Sequence, residues 1–162
     1  MLREFLPLGA QPENLHGIDL LSDRIESAKS ISPNIDFRCG SAETIPYDNN
    51  MFDIVMQFTV FTSIMDVGMK KKIASEMLRV LKPHGIILWY DYHMDNPKNP
   101  DVKGVKKREI YELFPGCDIY LKRITLAPPL TRVIAPYSWL LCYLLEKLKI
   151  LNTHYLGVIR KH

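Results

Sequence analysis

GSAETIPYDNNMFDIVMQF, residues 40–58, and MLRVLKPHGIILWYD, residues 77–91, decide the fold. The largely apolar run Phe52 to Phe58 is too short for a helix and rich enough for a buried strand. Gly85 to Tyr92 is a second run of the same kind, and residues 59–84 between them are mostly helical in pattern. Strand, helix, strand at this spacing predicts a βαβ unit, hence a parallel sheet with helices on its faces. Ligands of such sheets bind outside the carboxyl ends of the strands. That rule directs attention to Gln57–Thr59 and Tyr90–His93.

The whole chain sets broad limits. Its 162 residues suit one domain with a proper core, and 47% apolar and 24% charged residues are ordinary globular values. The net charge of +3, from 21 basic and 18 acidic residues, argues against a nucleic-acid partner. Lys70–Lys72 and Lys106–Arg108 are the clustered cations, and both suit solvated helix faces. Cys39, Cys117 and Cys142 have neither metal-ligand spacing nor a disulfide pattern, so no metal is expected and reduced thiols in a cytoplasmic protein fit. The opening MLREFLPLG is too short and too charged for a secretory signal. Trp139–Leu145, the longest apolar run, falls well short of a transmembrane segment.

Outward from the deciding stretch, Leu2, Phe5 and Leu6 predict an uncapped opening helix ended by Pro7 and Gly9. Leu15–Leu21 predicts a short buried strand with Asp19 near its tip, followed by a helix with Ser22 as N-cap and Asp23 in its first turn. A carboxylate in this place grips ribose hydroxyls in nucleotide-binding sheets; alternatively it is a solvated Asp assisting the next helix. Ile35–Cys39 predicts a further strand. After it, Gly40 is free to take positive φ, and the small Ser41 and Ala42 admit a ligand close to the backbone. A helix from Gly68 to Leu81 places Ile73, Met77, Val80 and Leu81 on one face, with Gly85 turning the chain into the next strand. Asp95–Asp101 predicts a polar loop; Ile110, Leu113 and Phe114 a helix; Asp118–Leu126 a strand. The helix from Pro136 to Leu148 is apolar on nearly every side, and a last strand over Tyr155–Arg160 follows a turn at Asn152-Thr153.

GIDLLSDRI, GSAETIPYDNNMFDIVMQF and MLRVLKPHGIILWYD together resemble, in order, successive motifs of the class I S-adenosylmethionine-dependent methyltransferases. The resemblance covers roughly residues 15–95 and is closest to the type 11, ubiquinone/menaquinone-biosynthesis-like branch. It implies an α/β, Rossmann-like sheet, mostly parallel, with an antiparallel C-terminal edge hairpin. It also implies S-adenosyl-L-methionine as cofactor and a small-molecule or lipid-like methyl acceptor. By that resemblance Asp19 bonds the ribose hydroxyls, Leu20 packs on the adenine, Ser41 and Ala42 contact its edge, and Gln57 and Phe58 pass the methionine moiety. Many relatives have Asp at the position of Ser41, whose hydroxyl is a weaker acceptor than a carboxylate. Thr62 and Ser63 stand where many relatives carry a His pair.

The family's first strand and glycine-rich turn are expected before the opening helix, and this chain starts beyond them. The expectation is a single, N-terminally incomplete domain over residues 1–162, with core motifs in 15–95 and helices and edge strands in 96–162. It follows that the strands of Asp19 and Phe52 are each expected to lack a neighbour.

No catalytic residue is assigned: Asp91, Tyr92 and His93 are candidates by position, and His93 is read in preference as a loop or partly buried histidine with no catalytic task. The Pro136–Leu148 helix suits a substrate lid, a subunit interface or peripheral membrane contact, and the oligomeric state is open. Two other readings stay open: a non-catalytic remnant or interaction module of the same fold, and a nicotinamide-dependent dehydrogenase.

Overall fold

The computed structural model describes residues 2–95 and 99–162. The predicted Asp95–Asp101 loop therefore lies partly outside the described residues. The chain divides into two compact units, residues 1–48 and 49–162.

The first unit opens with a 3-10 helix, Leu2–Leu8, where an α-helix was expected. Pro7 lies inside it and lacks the amide an α-helical turn needs, and Gly9 at φ +97° ends it. Strand β1, His16–Asp19, lies parallel to β2, Asp36–Cys39, with Asp19 opposite Cys39. Helix α1, Ser22–Ile31, crosses between them and buries Ile25. The expected capping role of Ser22 is not taken up. Leu21 is the N-cap, and the Asp19 carboxylate accepts the Leu21 amide at 2.9 Å. At the opposite strand ends, Asp36 gathers His16 Nδ1 at 3.2 Å, the Tyr47 hydroxyl at 3.1 Å and Arg38 Nη2 at 2.9 Å.

The second unit holds β3, Phe52–Phe58; α2, Val67–Val80; β4, Leu81–Tyr92; and α3, Lys107–Leu113. It continues with β5, Asp118–Leu126; α4, Pro128–Ile134; α5, Trp139–Lys147; and β6, Asn152–Arg160. Its sheet runs β3-β4-β6-β5, with β3 parallel to β4 and both β6 pairings antiparallel. This is the expected α/β sheet with a C-terminal antiparallel edge. Among the described residues β1 pairs only with β2, and β3 only with β4.

Three boundaries differ from expectation. Strand β4 begins at Leu81, before Gly85, and the left-handed residue of the turn is His84 at φ 61°. The register jumps from Phe52↔Leu81 to Ile54↔Ile86, so Lys82–Gly85 bulge from an otherwise continuous strand. Strand β6 begins at Asn152. The turn expected there does not form, because the buried Asn152 amide donates to the Arg123 and Glu146 carbonyls at 3.3 and 3.0 Å. Helix α5 starts at Trp139, because Ser138 caps it by accepting the Leu141 amide at 3.1 Å.

The core centres on Trp89, which is fully buried, with its ring 4.7 Å from that of Phe61 and 6.0 Å from that of Phe114. Ile73, Met77 and Val80 of α2 are buried, as the helical spacing predicts. Gly157 stands opposite Trp89 on β6, and a Cβ there would come within 2.7 Å of Leu121 Cδ2. The large indole on one strand is matched by the missing side chain on its neighbour.

Candidate cofactor and acceptor site

The candidate residues lie at the carboxyl ends of strands, described unit by unit. In the first unit Asp19 closes β1 and is partly exposed. One carboxylate oxygen is engaged by the Leu21 amide; the other lies 3.7 Å from Arg24 Nη1. A carboxylate offers about four acceptor positions, so capacity remains for hydroxyl donors. Asp19 thus serves its own helix, one of the two alternatives read from sequence, and keeps spare acceptor capacity. It borders a cavity of about 700 Å³ lined by β1, α1 and the opening 3-10 helix.

Leu20 projects into solvent, 70% exposed, at the start of the following turn. Ser41 and Ala42 occupy the turn after β2, where the Ser41 hydroxyl accepts the Glu43 amide at 3.2 Å. Gly40 does not use positive φ there; the glycines that do are Gly9 and Gly116. Asp19 lines the cavity, whereas Leu20, Ser41 and Ala42 do not.

In the second unit Gln57 and Phe58 end β3. Thr59 follows in the left-handed region, φ 53°, and its amide donates to the Tyr90 carbonyl at 2.8 Å. This reversal leads into a 3-10 turn, Phe61–Ser63. The Gln57 side-chain oxygen accepts the Val60 amide at 3.3 Å, while its Nε2 is buried without a partner among the described residues. A buried, unmatched donor at a strand end is the kind of group a ligand satisfies.

Asp91 at the end of β4 is fully buried and organises this corner. One of its oxygens accepts the Phe61 and Thr62 amides at 3.0 and 3.4 Å, and the other its neighbour Tyr92's amide at 2.9 Å. Burial pushes its pKa up to about 6, against those three amides and the charge of Lys70. The carboxylate is thereby committed to the backbone.

His93 is also occupied. Its Nε2 donates to the Asn152 carbonyl at 2.8 Å, and burial, the largest influence, lowers its pKa. Neither Asp91 nor His93 lines the adjoining cavity, whereas Tyr92 does. Beside them the buried His154 ring stacks on Tyr90 at 4.6 Å, and burial, aided by His93, drives its pKa down to about 4.

That second cavity has a volume of about 590 Å³. Thr59, Thr62 and Tyr92 line one side, and Pro128, Pro129 and Arg132 of α4 another. Thr62 is nine-tenths buried or more, and its Oγ1 has no partner among the described residues. In the sequence Thr62 stood out only for the histidine that many relatives carry there, and Pro128-Pro129 was not singled out. The proline pair before an apolar helix was the available signal for a wall; nothing in the sequence marked Arg132 as part of it.

Comparison with known proteins agrees with this architecture. The pattern of the methyltransferase domain family matches residues 2–89. A demethylmenaquinone methyltransferase from Renibacterium salmoninarum is 37% identical over 68 residues, covering 42% of this chain and 27% of that protein. The ubiquinone/menaquinone biosynthesis C-methyltransferase UbiE of Campylobacter jejuni is 30% identical over 112 residues, 68% of this chain and 41% of its own. This chain thus spans less than half the length of these curated relatives. A solved SAM-dependent methyltransferase from Archaeoglobus fulgidus superposes with a TM-score of 0.65 at 16% identity, over 91% of this chain and 75% of that one. The chain belongs to the type 11 methyltransferase domain family, whose cofactor is S-adenosyl-L-methionine.

Proposed function

We propose that this chain carries a methyltransferase site that binds S-adenosylmethionine and passes its methyl group to a small-molecule or lipid-like acceptor. The observation that carries this reading is the corner built by Asp91, with its unmatched buried Gln57 Nε2 and Thr62 Oγ1. Thr62 turns that corner toward a cavity large enough for a small acceptor. Asp19 fits the ribose hydroxyls through its spare acceptor capacity, Leu20 offers an exposed apolar surface to the adenine, and Ser41 and Ala42 its edge. Gln57 and Phe58 fit the methionine portion. Likeness to UbiE of Campylobacter jejuni and to the Renibacterium enzyme supports a quinone-like acceptor.

When bound, the cofactor supplies an electrophilic methyl group on a sulfonium. What this chain's residues contribute is position, and positioning alone accounts for a large share of rate in such displacements. Asp91 and His93 are committed to backbone groups, so we assign neither as a general base. The expected course is orientation of the acceptor by Thr62, Tyr92 and the α4 wall.

A second reading, an interaction module that binds no cofactor, is favoured by the single pairing of β1 and of β3 among the described residues. Calorimetric titration with S-adenosylhomocysteine, with circular dichroism on the same sample, separates the two. Saturable binding supports the methyltransferase site. A folded chain that binds nothing overturns it in favour of the module.

A further inference from the structure

No helix among the described residues is long and apolar enough to cross a membrane, yet α4 and α5 present an unusual amount of apolar surface. In α5 only Cys142 is buried. Tyr137 is 89% exposed, Trp139 75% and Ile150 77%, and Leu140, Leu144 and Leu148 form an exposed i, i+4, i+8 row. Trp139 stacks on Tyr143 with ring centres 6.1 Å apart, and Lys147 Nζ lies 5.0 Å from the Tyr143 ring centre. A patch of this kind marks a docking surface.

Charge identifies what it docks on. Residues 127–151 contain three cations, Arg132, Lys147 and Lys149, and one carboxylate, Glu146. Glu146 is turned to the sheet, where it accepts the Thr125 amide at 3.0 Å, so the outward charge is positive. Two copies meeting through this patch by a two-fold axis would set like charges against like, with no free carboxylate in the segment to offset them. Exposed Trp and Tyr beside leucines and lysines suit the headgroup boundary of a bilayer, where each has a favourable place. At nine residues α5 is long enough to lie in that boundary and too short to span it.

We propose that the α4–α5 segment seats on the surface of an anionic lipid bilayer. Helix α4 links this surface to the second cavity: Pro128, Pro129 and Arg132 line the cavity, while Leu130 and Val133 of the same helix are exposed. Docking would bring an acceptor dissolved in lipid next to that cavity. The inference goes beyond methyl transfer, and its test needs neither cofactor nor acceptor.

The test is flotation of the chain with vesicles of phosphatidylcholine alone or mixed with phosphatidylglycerol, together with tryptophan emission. Trp89 is fully buried, so a blue shift on adding vesicles reports Trp139. Expected are flotation and a blue shift with the anionic vesicles, both diminished by high salt. Trp139→Ala and, independently, the exposed pair Lys147→Glu/Lys149→Glu should each weaken binding at least about tenfold while leaving the circular dichroism unchanged. Equal binding to neutral and anionic vesicles would overturn the proposal. So would absence of vesicle binding, whether the chain sediments as a monomer or as a dimer that Trp139→Ala disrupts.

Discussion

The Asp91 carboxylate, at the end of β4, accepts the Phe61 amide of the turn after β3 at 3.0 Å. Thirty residues apart in sequence, Phe61 and Asp91 are tied by this buried carboxylate, beside the Thr59 amide on the Tyr90 carbonyl that closes the β3–β4 pairing. Because Thr62 shares that oxygen and lines the cavity, the cavity wall is fixed by the same carboxylate. A buried charge with three amide donors is costly to bury and costly to disturb, and the two costs can be measured separately.

Its pKa of about 6 stands above the unfolded value of 3.8, so the folded state holds the proton more tightly between those limits. The stability this group contributes is therefore greatest below about pH 4 and is lost as pH rises through about 6. The shift corresponds to an upper figure of about 3 kcal/mol. Asp91→Asn should remove this dependence, so the wild-type-minus-variant difference in urea-unfolding free energy should become less favourable to wild type from about pH 4.5 to about pH 7.5. A constant difference across that range would refute the assignment. Asp91→Ala, which orphans buried amides, should cost at least about 2 kcal/mol at either pH.

Lys70 of α2 is buried and meets Glu109 of α3 at 2.6 Å. In the sequence Lys70 belonged to a lysine cluster assigned to a solvated face; in the fold it is the member turned inward. Glu109→Gln takes away the carboxylate in contact with its ammonium, leaving only the Asp91 carboxyl to oppose the charge, and should destabilise the second unit by about 3 kcal/mol. The double change Lys70→Met/Glu109→Leu should recover most of that loss. Chemical denaturation of the three chains measures it, and a double variant as weak as the single one would be inconsistent with a charge-based cost.

In the first unit the Arg38 guanidinium, bonded to Asp36, is the largest influence holding that carboxyl below its usual range, with His16 and Tyr47 adding to it. A depressed acid contributes stability above its unfolded pKa and loses it as pH falls through the folded value. Asp36→Asn should thus be less stable than wild type at neutral pH and equal to it in strong acid. Acid titration followed by the Tyr47 environment reads the convergence. Tyr47, whose own pKa burial and Asp36 raise to about 12, stays protonated throughout. Parallel curves that never converge would show that Asp36 does not act through its charge.

The strands and α2 were legible because their signal is local. Phe52–Phe58 is a short apolar run bounded by turn residues, and Ile73, Met77 and Val80 repeat at helical spacing. The left-handed residue at His84 was not legible, since glycine is the default choice for that conformation and Gly85 stood beside it. Asn152 was misjudged for a related reason: asparagine favours turns unless distant carbonyls claim its amide, and those of Arg123 and Glu146 do. The residues proposed for the ribose and methionine portions came from motif order, but the second cavity did not, because it is made by segments far apart in the chain. Exposure of α5 was foreseeable in outline, as Trp139, Leu140, Leu141, Tyr143 and Leu144 cannot share one buried face.

Asp19 offers the sharpest test of the cofactor assignment. Its two oxygens have separate tasks, one accepting the Leu21 amide and the other lying near Arg24. Asp19→Asn can keep the first by leaving its amide oxygen toward Leu21, so helix α1 should form and thermal stability should change little. The second oxygen becomes an NH2 group, which cannot accept a hydroxyl donor, and the charge is lost. A hydrogen bond to a charged acceptor is worth about 1.5–3 kcal/mol, so affinity for S-adenosylhomocysteine should fall by about ten- to a hundredfold. Calorimetry on wild type and variant, each checked by circular dichroism, compares affinity with folding directly. Near-wild-type affinity in a folded variant would remove Asp19 from the ribose site and leave it as a helix-entry residue alone.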